Sequence, residues 1–329
     1  MDLIRWGIVA TGNISGSFTR DLAELPDAEV TAVASRSMAS ADRFAEVHGI
    51  AQRFDDYRAL IDSKVVDVLY IGTPHPQHYA VARAALEAGV AVLCEKPVTL
   101  NARQARDLAD LSRANGTLFA EAMWMRTDPV IQAYFEDLRS GVIGAPKQVL
   151  ADFGFFKPEL PERLLRPDLG GGALLDLGIY PATFTYMALG KPEAMTAMAE
   201  VNEDGVDLVT SMIWRYPGAM ASLTCGMTAQ LPWIAAVSGP EGSLMLPHRW
   251  HHPDHYIRRT AKGDERITVP KSGLGYHYEA AEVMRSLRAG LTECPAFPHD
   301  ETIDILDLLD EARRQTGVTY PGDDEFLGG

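Results

Sequence analysis

Lys96 stands in the triplet Glu95-Lys96-Pro97, directly after an apolar run over residues 90–94. Such a run reads as a buried parallel strand. A core does not tolerate an unpaired ammonium, so this strand end is either solvated or the centre of a site. Asp176 and Tyr180 stand four residues apart in the stretch DLGIY. That spacing gives one face if the segment is helical. Pro181 follows directly and would kink a helix or start one, so the spacing permits convergence without requiring it. The chemistry open to such residues is removal of a hydroxyl proton while a secondary alcohol loses hydride. A free tyrosine, with a pKa of about 10, is a poor base near neutrality. A nearby ammonium favours the phenolate, and Lys96 could supply that charge to Tyr180.

The elements that must position these residues follow from the hydrophobic pattern. Over the first ~120 residues strand and helix signals alternate. Strands are predicted at 4–10, 30–34, 65–73, 90–94 and 117–124, and helices at 13–25, 39–48, 76–88 and 101–115. Gly49, Gly89 and Gly116 serve as stop signals. This alternation means a parallel, doubly wound sheet. After a helix over 129–140, strands follow one another without helices, with turn signals at 203–205 and 216–218. Two helices, near 278–289 and 301–315, close the chain. The fold class is α/β: a doubly wound domain over 1–122, then an α+β domain over 123–329 with a mainly antiparallel sheet.

The 329 residues carry a net charge of −15, which argues against nucleic acid or an anionic membrane as the main partner. No apolar run is long enough to span a bilayer. Three cysteines, Cys94, Cys225 and Cys294, are far apart in sequence and suggest neither a CxxC metal site nor a disulfide framework. A reducing cytosol fits them best.

A dinucleotide fingerprint belongs at the first strand-to-helix turn, where backbone approaches a pyrophosphate at a helix N-terminus. The stretch GIVATGNIS lies there, but its three glycine positions are Ala10, Gly12 and Ser15. Only the middle glycine is kept, and Asn13 and Ile14 open the helix behind it. The end of the second strand, VASRS, has no acid for the ribose hydroxyls. It has Arg36 between Ser35 and Ser37. An arginine can pair with a 2′-phosphate and stack on adenine, which favours NADP over NAD.

With TPHPQH at 73–78 and EKP at 95–97, the chain resembles the glucose-fructose oxidoreductase/inositol dehydrogenase/MocA family. The stretches RWGIVATGNIS, HPQHYAVARAALEAGVAVLCEKP, GGALLDLGIY, LTCGMTAQL, VSGPEGS and GVTYP carry the likeness across nearly the whole chain. Within it the likeness is greatest to the dimeric dihydrodiol and NADP-dependent D-xylose dehydrogenases. The resemblance implies NADP or NAD in the first domain. It implies that Lys96, beside Glu95, approaches the substrate hydroxyl and the nicotinamide ribose, and that Pro97 follows a peptide bond that is often cis. Thr73, Pro74 and His78 match positions lining the cofactor, and Arg126 an arginine near the nicotinamide. Asp176 and Tyr180 match the acid and the catalytic position, where many relatives carry histidine. Ala10 and Ser15 depart from the glycine pattern, which bears on the tightness of cofactor binding.

Trp124, Phe153, Phe156 and Trp233 are aromatics that could wall a sugar ring or a dihydrodiol. His248, His251, His252 and His255 crowd one segment, but Pro253 interrupts it and no regular spacing makes the rings converge on a metal. No metal is expected. An uncovered sheet face in the second domain suits association into a dimer or larger homo-oligomer. The sequence therefore points to a cytosolic NADP-dependent oxidoreductase acting on a secondary alcohol or hemiacetal hydroxyl of a sugar-like or cyclic diol. Its rivals are a non-catalytic NADP-binding sensor on the same fold and an NAD-linked polyol dehydrogenase, the latter opposed by Arg36.

Overall fold

Residues 3–323 are described by a computed structural model, and they form two units. The first comprises residues 3–99, 103–127 and 272–302. Its strands are β1 (Ile4–Val9), β2 (Ala28–Ala34), β3 (Gln52–Phe54), β4 (Val68–Ile71), β5 (Ala91–Glu95) and β6 (Phe119–Ala122). They pair in the order β3-β2-β1-β4-β5-β6, and every pair is parallel. The helices between them are α1 (Asn13–Asp21), α2 (Met38–His48), α3 (Tyr57–Asp62), α4 (His75–Glu87) and α5 (Ala102–Asn115).

β4 and β5 are buried along their whole length, as strands covered by helices on both faces must be. The strand order reverses between β1 and β4, and ligands bind outside the carboxyl ends of such strands. The residues that leave those ends are Ala10, Gly72 and Lys96.

The predicted elements are all present, with shifted ends. The pair β3 and α3 was not predicted, because the stretch QRF has only Phe54 half-buried and carries no apolar run. The chain also returns to the first unit at residues 272–302, where a helix packs against α1. A single cut near 122 leaves out that return. Asp21 of α1 explains it: its carboxylate accepts the Leu274 and His277 amides and pairs with the His277 ring.

The second unit comprises residues 100–102, 128–271 and 303–323. Helix α6 (Pro129–Arg139) starts at Asp128, whose side chain accepts the Val130 and Ile131 amides. Then come β7 (Gln148–Gly154), α7 (Glu162–Leu165), a π-helical turn (Leu174–Gly178) and α8 (Ile179–Leu189). The strands β8 (Ala194–Val201), β9 (Asp207–Tyr216), β10 (Ala219–Gly226), β11 (Ala235–Gly239), β12 (Gly242–Leu246), β13 (His255–Thr260) and β14 (Gly263–Thr268) follow without intervening helices. The sheet order is β14-β13-β12-β11-β7-β10-β9-β8, with all pairs antiparallel except β7 with β10. The helices α9 (Tyr276–Arg288) and α10 (His299–Thr316) close the described chain.

One face of this sheet carries buried Val149, Ala151, Trp214, Leu223 and Val237 beneath α6 and α8. The other face shows a row in register across seven strands: Ile257, Met245, Ala236, Leu150, Ser222, Ile213 and Thr196. Leu150 and Ile213 of that row are exposed, as are the flanking Met198 and Met220.

Candidate active site

In the first unit the turn after β1 is bent by Ala10, which holds φ at +86°. A left-handed backbone is unusual for a residue with a Cβ. Gly12 precedes α1, and a Cβ there would meet no atom within 4 Å. No side chain caps α1 and no acid sits in its first turn. The first-turn amides around exposed Gly12 and Asn13 are therefore open to an anion, the arrangement a pyrophosphate takes. At the third fingerprint position Ser15 is fully buried, and Gly72 yields the room its hydroxyl takes.

Beyond β2, Ser35 and Thr11 bring their hydroxyl oxygens to 3.4 Å. Ser37 caps α2 through its hydroxyl, which accepts the Ser40 amide. Arg36 between them is exposed, with no hydrogen bond or ion pair to another described residue. That guanidinium is available to a phosphate at the adenosine end of a bound dinucleotide.

At the carboxyl end of β5 the peptide bond Lys96–Pro97 is cis. The loop is braced from below. Tyr70 of β4 donates to Glu95 Oε1 at 2.5 Å, and Glu95 Oε2 accepts the Lys96 amide at 3.3 Å. Glu121 of β6, fully enclosed, accepts the Val98 amide at 2.9 Å. Burial pushes the Glu121 carboxyl up to about 7, against the pull of the Val98 amide, Arg126, Thr302 and Lys96. His78 is wholly buried, with Nδ1 2.8 Å from the Pro97 carbonyl and Nε2 2.8 Å from the Thr73 carbonyl. Its ring ties the EKP loop to the loop after β4. Pro74, half-buried, precedes α4, with Thr73 before it. Arg126 is buried in a 3₁₀ turn and pairs with Glu301 at 2.7 Å. Trp124, in the same turn, packs against Tyr276 with ring centroids 4.9 Å apart.

Glu279 of α9, which the sequence reading missed, lies beneath this region with both carboxyl oxygens unpartnered among the described residues. Burial, then the charges of Glu95, Asp21 and Glu121, push its pKa well up. Nothing in its helical pattern distinguishes it from a surface acid.

The second unit holds the other sequence-predicted groups. Asp176 lies in the π-helical turn and Tyr180 is the second residue of α8. Pro181 thus falls in the first turn of α8, directly behind the π-helical turn. Both Asp176 and Tyr180 are buried. Asp176 binds the Arg163 guanidinium through both oxygens, at 3.2 and 3.4 Å. Arg163 was not legible in the sequence, since it lies thirteen residues earlier, in the one-turn helix α7.

Rings surround Tyr180. Phe153 of β7 meets it edge-on at 5.1 Å and His251 at 5.6 Å. His251 stacks on Phe153, and His248 stacks on Trp233, which itself meets Phe153 edge-on at 5.0 Å. His252 instead pairs with Asp128. His248 and His251 thus belong to an aromatic wall, and His252 to a contact with Asp128. No group of three or more metal-ligating side chains among the described residues is disposed to hold an ion. Phe156 lies beyond β7 and is 59 % exposed.

Comparison with known proteins follows the same division. Residues 4–122 match the model of an oxidoreductase family with an NAD-binding Rossmann fold, GFO_IDH_MocA. Residues 131–245 match the GFO/IDH/MocA C-terminal domain. The chain belongs to the Gfo/Idh/MocA oxidoreductase family. Among its relatives is the trans-1,2-dihydrobenzene-1,2-diol dehydrogenase of Macaca fascicularis, 40% identical, with 97% of this chain and 99% of the relative covered. The human enzyme of the same name is 38% identical over the same shares. Among solved structures of the Gfo/Idh/MocA fold, the 3-ketoreductase KijD10 of Actinomadura kijaniata, in complex with NADP and TDP-benzene, superposes with a TM-score of 0.87. It is 27% identical, with 96% of this chain and 98% of that chain covered. The Caulobacter crescentus aldose-aldose oxidoreductase shares the fold with a TM-score of 0.88 at 19% identity, covering 96% of this chain and 98% of that one.

Proposed function

We propose that this oxidoreductase is an NADP-dependent dehydrogenase that oxidises a secondary alcohol of a cyclic diol or sugar-like substrate, with Tyr180 as proton acceptor. The observation that carries the reading is the ring wall around Tyr180. Phe153 and His251 present edges and faces beside a phenol, a surface suited to a flat, partly unsaturated ring. The relatives' name, trans-1,2-dihydrobenzene-1,2-diol dehydrogenase, agrees with a ring of that kind. Phe153 supplies the wall, and Trp124 and Phe156 are assigned to the same substrate in this reading.

NADP, when bound, supplies the hydride acceptor. Gly12, Asn13 and Ile14 receive the pyrophosphate end with Ala10. Ser35 and Arg36 select the 2′-phosphate, and Thr73, Pro74, His78, Glu95 and Arg126 shape the nicotinamide end. The chain's own work is then proton chemistry. Tyr180 takes the proton from the substrate hydroxyl, and Lys96 favours the phenolate by its charge and orients the hydroxyl. Asp176 enters through its pair with Arg163, as an anchor rather than a base, because a carboxylate engaged at both oxygens is a weak acceptor. The sensor reading, a fold that binds NADP without chemistry, is disfavoured by the retention of Lys96 and Tyr180 together.

The exposed row on the second sheet suits a contact between two copies of the chain, so the protein is at least a dimer in this reading. The three cysteines are buried free thiols, in keeping with a cytoplasmic location. No helix among the described residues is long and apolar enough to cross a membrane.

A screen of cyclic diols, aldoses and polyols, following NADPH absorbance, tests the activity. Turnover of a cyclic diol with NADP supports it. NADP binding without turnover of any of them overturns it in favour of a sensor.

A further inference from the structure

The segment that bears Asp176 and Tyr180 is tied to the neighbouring sheet by one buried carboxylate. Asp207 opens β9 and is 0 % exposed. Its Oδ2 accepts the Leu174 amide at 2.7 Å and the Thr210 hydroxyl at 2.8 Å. Leu174 begins the π-helical turn, so this bond fixes the start of the run that leads through Asp176 to Tyr180.

The approach to that bond is built for the carboxylate. Gly172 holds φ at +124°, and a Cβ there would overlap Asp207 Oδ1. A Cβ on Gly171 would lie 2.7 Å from the Leu164 carbonyl oxygen, and the Gly171 carbonyl accepts the Tyr320 hydroxyl at 2.8 Å. At the far end of the turn, a Cβ on Gly178 would come within 2.9 Å of Cys225 Sγ on β10. The glycines at 171, 172 and 178 therefore allow the backbone to lie against its neighbours, and Asp207 holds it there.

We propose that Asp207 is a positioning residue, which sets the place of Tyr180 by anchoring the start of the π-helical turn from β9. The proposal rests on the reading of Tyr180 as proton acceptor. Asp207 Oδ1 has no hydrogen-bond partner among the described residues, so the bonds that hold the carboxylate to other described residues are the two at Oδ2. The titratable and charged groups that face it are Arg313 of α10, Tyr320, and Cys225 of β10. Burial pushes the carboxyl up to about 6, against the pull of Thr210, Leu174 and Arg313. Below that pH the anchor is neutral and accepts the Leu174 amide more weakly.

The test compares Asp207→Asn, Asp207→Ala and Thr210→Val in the full-length protein. A displacement of Tyr180 by about 1 Å would cost about 100-fold in turnover, so Asp207→Ala should lose about 10–100-fold in kcat while NADP affinity stays within about 2-fold. Asp207→Asn, which keeps an oxygen for the Leu174 amide, should lose less and should abolish any inflection near pH 6 in kcat. Thr210→Val should fall between wild type and Asp207→Ala.

Hydrogen–deuterium exchange of residues 174–180 reads the anchor without any assumption about Tyr180. Exchange about 10-fold faster in Asp207→Asn, a variant expected to fold, supports the anchor. Unchanged exchange overturns it. Faster exchange with wild-type kcat overturns the positioning role and leaves only a structural one. A Tyr180→Phe enzyme with wild-type kcat would remove the reading beneath the proposal, and the exchange result would stand apart from it.

Discussion

The hydroxyl of Ser15 fills the space that a side chain at Gly72 would need: a Cβ on Gly72 would lie 2.5 Å from Ser15 Oγ. The fingerprint's third glycine normally lets helix and strand pack closely. Here the small residue stands on the strand side instead. Gly72→Ala should destabilise the protein by about 1–3 kcal/mol, the usual cost of overpacking. Adding Ser15→Ala should recover part of that loss, because the clashing oxygen is gone while Tyr70 Cε1, 3.2 Å from the built Cβ, remains. Ser15→Ala alone should be neutral or stabilising, since its buried hydroxyl has no partner among the described residues. Urea unfolding of the four proteins checks the cycle. Additive effects would show that the two positions are independent.

Arg36 should set the choice of cofactor. It is exposed and uncommitted, beside two serines at the end of β2. A charge-assisted hydrogen bond to the 2′-phosphate contributes on the order of 1.5–3 kcal/mol. Arg36→Ala should therefore weaken NADP binding about 10–100-fold and leave NAD binding nearly unchanged. Calorimetric titration of both cofactors decides it. Equal or tighter NAD binding by the wild type would refute the assignment.

The two sheets and the order of the elements were legible in the sequence because period and punctuation agree there. Strands β4 and β5 are unbroken apolar runs, and α2 and α4 stop at Gly49 and Gly89 with positive φ. The pairs that fix the site were not legible. Asp176 with Arg163, Asp207 with Leu174 and Glu121 with Val98 join residues brought together only by folding. A polar residue that will be buried looks in sequence like one that will face water. The histidines at 248 and 251 could be set aside as metal ligands, but their stacking on Trp233 and Phe153 depends on where a loop returns to β7.

Glu121 should give the protein a pH-dependent stability. Its carboxyl is pushed up to about 7 in the folded state from a usual 4.5. The native state then holds a proton that the unfolded chain gives up, so stability falls as pH rises from about 4.5 through 7. The loss is complete above that window. Glu121→Gln keeps an acceptor for the Val98 amide but has no proton to lose. Unfolding free energies from pH 5 to 8 should decline less steeply in Glu121→Gln than in wild type. Identical slopes would mean that another buried acid, such as Glu279, carries the dependence.

Association should run through the outer sheet face. Ile213 lies in the exposed row between Ser222 and Thr196. A carboxylate in a buried interface would be unpaired and costly. Light scattering at micromolar concentration should give at least a dimeric mass for wild type and a monomeric mass for Ile213→Glu. A monomeric wild type would exclude the contact.

Lys96 and Tyr180 should behave as one unit in the proton step. Tyr180→Phe should bind NADP nearly normally, because the phenol meets the substrate and not the pyrophosphate. Its turnover should fall by roughly 10²–10⁴-fold, the usual contribution of a positioned acid or base. Lys96→Met should lose turnover as well and weaken NADP binding, since the loop around it is shared with the cofactor. The double variant should be little worse than the more damaged single, because residues that serve one step are not additive. In wild type the oxidation rate should rise with pH through an apparent pKa well below about 10, the free tyrosine value, and this limb should vanish in Tyr180→Phe. Losses that multiply in the double variant would place the two residues in separate steps. A Tyr180→Phe enzyme with an unchanged profile would move the proton acceptor elsewhere, with Lys96 the next residue to test.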